Sequence, residues 1–448
     1  MQVIENLKVR EKLYIEKLEN GLTVMIIPKL GVQKKYIIWG TNYGSNDSKF
    51  IVPGEEKETE VPNGVAHFLE HKLFEQENGT NSLDVLTALG VEANAYTTND
   101  HTAYLFECTD NFYEALDELM DYVQHPYFTD ENVEKEKGII GQEIAMYDDY
   151  PEWKVYLNAM QAMYHNNPIK IDITGTQETI SKIDKEILYK CYNTFYNPSN
   201  MALVVSGDFE PSKILEEIKR RLIDKKSNGE IKRIYPEEPE EIVQDKIEQR
   251  LEVSQPLYTI GIKDTIKKCS FDNKDEIVKK HISMEILLNL LLGRSSNLYQ
   301  ELYNEQTIYG SPSLDYEFGK TYAHVLITGQ SKDPDKVYAK FKEEVRKMEV
   351  MEMGRAVRAA VAGILIGLFC GTLYVEMGAL KRLYSAKNSV EQVMNLIEYA
   401  EENEDIACDS TEENYAGITS DKTSQFSRTD SQCRDGQCQC RWDRMASQ

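Results

Sequence analysis

Asn63-Gly64-Val65-Ala66-His67-Phe68-Leu69-Glu70-His71-Lys72-Leu73-Phe74-Glu75 is the stretch around which the chain is organised. On an α-helix, positions i, i+3 and i+4 share one face. His67, Glu70 and His71 therefore project into one small volume, while Val65, Ala66, Phe68, Leu69 and Leu73 make the rest of the helix apolar. Two imidazoles four apart suit a tetrahedral zinc ion, and a carboxylate beside them suits a general base. The order is inverted relative to His-Glu-x-x-His, and both orders are known to carry hydrolytic zinc. Pro62-Asn63-Gly64 interrupts the chain just before the helix and gives it a start.

A hydrolytic zinc ion needs a third protein ligand and keeps its fourth position for water. The helical stretch 129–147 offers Glu134, Glu136 and Glu143. Glu136 and Glu143 are two turns apart and share a face, with Ile139, Ile140 and Ile144 available to pack on a core. Glu143 is the expected ligand, with Glu136 behind it orienting a ligand or the water.

Working outward, Leu13–Leu18 and Leu22–Ile27 flank Asn20-Gly21, a hairpin signal because both turn residues tolerate positive φ. Residues 36–39 read as a strand and 44–61 as a polar loop. Helical and strand-like runs then alternate irregularly up to Leu222. Strands in hairpin-like pairs mixed with helices point to α+β layers rather than a doubly wound parallel sheet.

These signals divide the chain into residues 1–224, a zinc domain; 225–245, a linker rich in Lys, Glu and Pro; and 246–350, where the pattern of strands and helices restarts. Residues 351–400 begin with a composition break. Ala359–Val375 holds 17 residues without a charge, with Gly363, Gly367 and Gly371 spaced by four. At 1.5 Å per residue this run covers roughly 25 Å, short of the roughly 30 Å hydrocarbon core, so a buried helix and a membrane span both fit. Residues 401–448 are polar and read as a disordered tail.

The net charge of −24 excludes the basic face that nucleic acid requires. Met1–Asn6 lacks a basic segment followed by an apolar run, so no signal peptide is expected. The eight cysteines form no regular framework, and the body of the chain reads as cytoplasmic with free thiols. Cys433, Cys438 and Cys440 are the only cluster.

Three sets of residues together resemble the pitrilysin/insulinase family of zinc metallopeptidases, most nearly its bacterial half-length members related to mitochondrial processing peptidase. They are Asn63 through His71; Asn94-Ala95-Tyr96-Thr97 with Thr102 and Tyr104; and Glu136 through Gln142-Glu143. The resemblance covers about residues 10–345. It implies two related α/β sandwich domains, the second incomplete or divergent here, and a zinc-dependent endopeptidase acting on unfolded peptides or small proteins. It further implies one zinc per chain on His67, His71 and Glu143, with Glu70 as general base. It places Asn94 and Ala95 on an edge strand that receives the substrate as an added strand, a role that unpaired backbone groups suit physically. It also implies a partner, a second copy or a related chain, that closes over the site. The family's second half carries an arginine and a tyrosine seven apart. Leu298–Tyr309 contains no arginine, Arg294 lies just upstream, and Tyr309 is the corresponding tyrosine. A peptidase-like subunit that binds peptides or a sister protein without cutting is the competing expectation.

Overall fold

The computed structural model describes residues 1–8, 10–264 and 274–350, together with the backbone of Tyr415–Ser420. The described residues fall into two compact units. One is Met1–Tyr147 with Ile171–Pro236; the other contains Asp148–Lys170 and the described residues from Glu237 onward.

The first unit begins with strands β1 (Gln2–Asn6), β2 (Glu11–Lys17), β3 (Thr23–Pro28), β4 (Lys35–Thr41), β5 (Lys49–Ile51) and β6 (Glu58–Glu60). Helices α1 (Val65–Lys72) and α2 (Ser82–Ala88) precede the hairpin of β7 (Glu92–Thr97) and β8 (Thr102–Cys108). Helices α3 (Phe112–Gln124) and α4 (Asp130–Asp148) follow, and β9 (Met201–Gly207) returns to the sheet. The seven-stranded sheet has the order β1-β2-β3-β9-β4-β8-β7. Only β3 and β9 pair in parallel; the other neighbours are antiparallel.

Period-2 alternation sets which face is buried. Ile37, Trp39 and Thr41 of β4 face inward, as do Met201, Leu203 and Val205 of β9. The helices cover that face, joining Phe68, Leu69, Leu86, Leu116, Leu119 and Ile140 to the strand residues in one core. Full burial of side chains such as Phe68 and Leu69 stabilises by about 1.5–3 kcal/mol each, so α1 is anchored well beyond its short length.

The expected hairpin forms, with Lys17 opposite Thr23 and Gly21 at φ 95°. The 44–61 loop differs from its reading. Phe50 and Thr59 are buried across the β5–β6 pair, and Lys232–Arg233 adds a third strand there. Three-residue strands are too short to leave a periodic signal. Residues 225–245, read from composition as a linker, are tied down within each unit. Arg233 and Tyr235 bind the buried Asp47, while Glu238 accepts from the backbone N–H groups of His165, Asn166 and Asn167.

The second unit has a five-stranded sheet, in order Lys246–Gln249, Tyr415–Ser420, Leu257–Lys263, Ala323–Gln330 and Ser313–Phe318. Helices Lys274–Leu292, Asn297–Asn304 and Pro334–Val350 belong to it. Helix Pro151–Met163 packs here as well, through Val155, Ala159 and Met163 against Leu257 and Leu326. Tyr415–Ser420 is strand backbone rather than disordered tail: it pairs in parallel with Lys246–Gln249 and antiparallel with Leu257–Lys263. Otherwise the expectations for 351–400 and 401–448, including the apolar run 359–375 and the Cys433–Cys440 cluster, lie outside the described residues. Among those described, no helix is long and apolar enough to cross a membrane. Cys108 and Cys191 are free and buried.

Two glycines fix where α1 begins. Gly64 has φ 97°, and a Cβ there would sit 2.6 Å from the Thr174 carbonyl oxygen. Gly175 has φ 77°, and its Cβ would sit 2.6 Å from the Asn63 carbonyl oxygen. The two backbones touch where side chains cannot fit. Gly64→Ala should therefore cost about 1–3 kcal/mol, visible as a lower thermal midpoint. An unchanged midpoint would show that the contact is not a constraint.

Candidate metal centre

Helix α1 buries His67, Glu70 and Lys72, and His71 is nearly as enclosed. Gly64 is its N-cap, and no side chain caps it. Helix α4 crosses nearby and presents Glu136 and Glu143 from the same face as its buried Val133, Ile140 and Ile144. The Gln177 side chain donates to the Gly141 carbonyl at 2.7 Å and ties α4 to the short helix Gln177–Ser181 near the level of Glu143.

The ligand-type atoms of His67, His71 and Glu143 all lie within 4.8 Å of one another. Nε2 of His67 is 3.6 Å from one Glu143 oxygen, and Nε2 of His71 is 3.6 Å from the other. That is long for a hydrogen bond. It is near the roughly 3.3 Å expected between two atoms that each sit about 2.0–2.1 Å from a tetrahedral zinc ion. Nε2 of His71 and Nδ1 of His67 are buried without a hydrogen-bond partner. An orphaned Nε2 on His71, with Nε2 of His67 and the Glu143 carboxylate around it, is a donor set that fits zinc. Among the described residues no other group of three such side chains converges.

Glu136 accepts a hydrogen bond from Nδ1–H of His71 at 3.0 Å. This selects the tautomer in which Nε2 keeps its lone pair facing Glu143. Glu70 is 2% exposed and accepts the Thr97 hydroxyl at 2.6 Å. Thr97 ends β7, and Thr102 Oγ1 lies 3.3 Å from its hydroxyl while donating to the Tyr43 carbonyl. Sequence reasoning quoted Thr97 but gave it no role. Its signal was the strand period, which puts the buried Ala95 and Thr97 on the same face of β7.

Asn94 and Ala95 lie on β7, the last strand of the sheet among the described residues. The Asn94 side chain accepts from the Ala95 N–H at 2.9 Å. Tyr309 is about half exposed and belongs to the second unit, where its N–H donates to the Gln330 carbonyl.

Burial pushes the His67 imidazole well below its ordinary value, and neighbouring His71 pushes it further. Burial acts the same way on His71, but its hydrogen bond to Glu136 and the charges of Glu70, Glu143 and Glu136 outweigh it and raise the net value. Burial raises the Glu143 carboxyl; His71 opposes this, while Glu70, Asp172 and Glu136 reinforce it.

A sheet covered by helices thus carries a convergent group of two histidines and a glutamate. Residues 50–177 match the insulinase family, peptidase family M16, and residues 182–354 match the M16 inactive domain. The chain belongs to peptidase family M16. The "Uncharacterized zinc protease YmfH" of Bacillus subtilis (strain 168) is 42% identical over 336 residues, 75% of this chain and 78% of that one. An M16-like peptidase from Alicyclobacillus acidocaldarius has a similar crystal structure, with a TM-score of 0.75 and 32% identity over 93% of this chain and 99% of that one. Pitrilysin shares the fold at a TM-score of 0.66 and 16% identity, over 96% of this chain and 47% of its own.

The two histidines give the metal-free fold opposite pH limbs. Below about 6.5 the unfolded chain takes up a proton that folded His67 resists, so stability falls with acidification. Above about 6.5 folded His71 still holds a proton that the unfolded chain has lost, so stability falls as pH rises through the folded value. Chelator-treated protein followed by urea midpoint against pH should show both limbs. His67→Gln should flatten the acid limb and His71→Gln the alkaline one.

Proposed function

We propose that this chain is a zinc-dependent endopeptidase, with His67, His71 and Glu143 holding one zinc ion and Glu70 acting as general base. The observation that carries this reading is the 3.6 Å approach of both Nε2 atoms to the two oxygens of Glu143. When bound, zinc would acidify a water ligand and polarise a peptide carbonyl. Glu70 takes the proton of the attacking water and passes it to the leaving amine. Thr97 holds one Glu70 oxygen so that the carboxylate keeps its aim. Glu136 keeps His71 in the ligating tautomer.

Asn94 and Ala95 receive the substrate as an extended peptide along the outer edge of β7, where backbone pairing favours shape over sequence. Tyr309 is a candidate peptide-contacting residue of the second unit. The site works in the cytoplasm, inside an enclosure completed by a second copy or a related chain. The chain's 47% coverage of pitrilysin supports reading it as one half of such an enclosure. The competing reading, a non-catalytic peptide-binding subunit, is favoured by the lack of an arginine in Leu298–Tyr309.

One experiment separates the two readings. Purified full-length chain should carry about one zinc equivalent, lose it on His71→Ala, and cut an unstructured peptide. Glu70→Gln should keep the zinc and slow cleavage by at least about a hundredfold. Cleavage by Glu70→Gln at the wild-type rate sinks the base assignment; zinc-free, well-folded wild type that cuts nothing establishes the binding subunit.

A further inference from the structure

Lys72 directly follows the second imidazole of the motif, on a helix whose other non-ligand positions are mostly apolar. A lysine there should extend to solvent, because a buried ammonium is costly unless paired. Its side chain is instead 0% exposed. Two carboxylates meet it. Glu75, one turn on, makes the closer ion pair. Glu136 Oε2 lies 3.9 Å from Nζ.

The second contact gives the residue a function. Glu136 has two oxygens: Oε1 accepts from His71 Nδ1–H, and Oε2 faces the Lys72 ammonium. The carboxylate is thus held at both ends, by the ring it orients and by a fixed cation. The first carboxylate behind a ligating histidine usually has its own support, and that support is felt at the metal. Glu75 links the ammonium onward, since its other oxygen lies 4.0 Å from Lys135 Nζ of α4. The cation therefore joins both elements that carry the proposed ligands.

We propose that Lys72 is a positioning residue of the metal centre. Its buried ammonium fixes the rotamer of Glu136, and through Glu136 the ring plane of His71, so that Nε2 is aimed before metal arrives. Its route runs Lys72, Glu136, His71, and it does not touch substrate. This rests on the zinc reading above and adds a residue to it.

The test is zinc affinity of the full-length chain, measured by competition with a chromophoric chelator at fixed pH. Lys72→Met, close in length and apolar, should weaken zinc binding by roughly tenfold to a hundredfold. Lys72→Arg, which restores a cation, should recover most of the loss. In a Glu136→Gln background, Lys72→Met should add little, because its route is already cut. Additive losses in that double variant, or Lys72→Met binding zinc as tightly as wild type, overturn the proposal. If Lys72→Met does not fold, Lys72→Gln decides in the same assay; if neither folds, the ammonium is a core element only and the proposal is overturned. Wild type that binds no zinc overturns the proposed function instead.

Discussion

Burying ionisable groups together is the constraint on which the rest of this structure depends. Helix α1 brings His67, Glu70, His71 and Lys72 into a largely buried space, and α4 adds Glu136 and Glu143. Each buried charge costs several kcal/mol unless it is paired and hydrogen-bonded. The pairing is nearly complete. Glu70 has Thr97, His71 has Glu136, and Lys72 has Glu75 and Glu136. What is left over is Nε2 of His71, without a donor or acceptor, beside a Glu143 carboxylate raised by its surroundings. Three enclosed carboxylates (Glu70, Glu136, Glu143) share this space with one buried ammonium (Lys72), which also pairs with Glu75 at its edge. A divalent cation is the charge such a set lacks.

The frame holds this unfavourable group because it is rigid on two sides. At the start of α1, the Asn63–Gly64 and Thr174–Gly175 backbones meet so closely that no side chain fits. Along its length, Phe68 and Leu69 lock into the same core as the sheet. A short helix would otherwise have little stability of its own, since helices under about 12 residues rely on packing. Its position is thus set by apolar burial, and its polar side chains are presented where that burial leaves them.

The chemistry was legible in the sequence where it follows helix geometry. His67, Glu70 and His71 lie within five residues, and Glu136 and Glu143 are two turns apart, so periodicity puts each set on one face of its own helix. The α+β class followed from hairpin signals and mixed elements for the same reason. What was not legible depends on contacts between distant segments. Thr97 meets Glu70 only because β7 lies beside α1. Lys72 looks like an ordinary lysine until α4 closes over it. The β5–β6 pair is too short to show a period, and Pro151–Met163 gives no local sign that its apolar face belongs with Leu257 and Leu326.

The strand β7 joins the remaining parts. Its inner face carries Thr97, which holds the proposed base, and Ala95, which is buried. One edge is paired with β8, and it is the terminal strand of its sheet among the described residues. A peptide added along the other edge would take its register from the same backbone that positions Glu70. Substrate and base would then share one rigid reference, so a carbonyl placed by backbone pairing would arrive at a fixed height relative to the carboxylate. Strand addition also explains how such a site can be exacting in geometry and permissive in sequence. The pairing reads the peptide backbone, which every substrate has, while the proton transfer depends on residues the substrate does not choose.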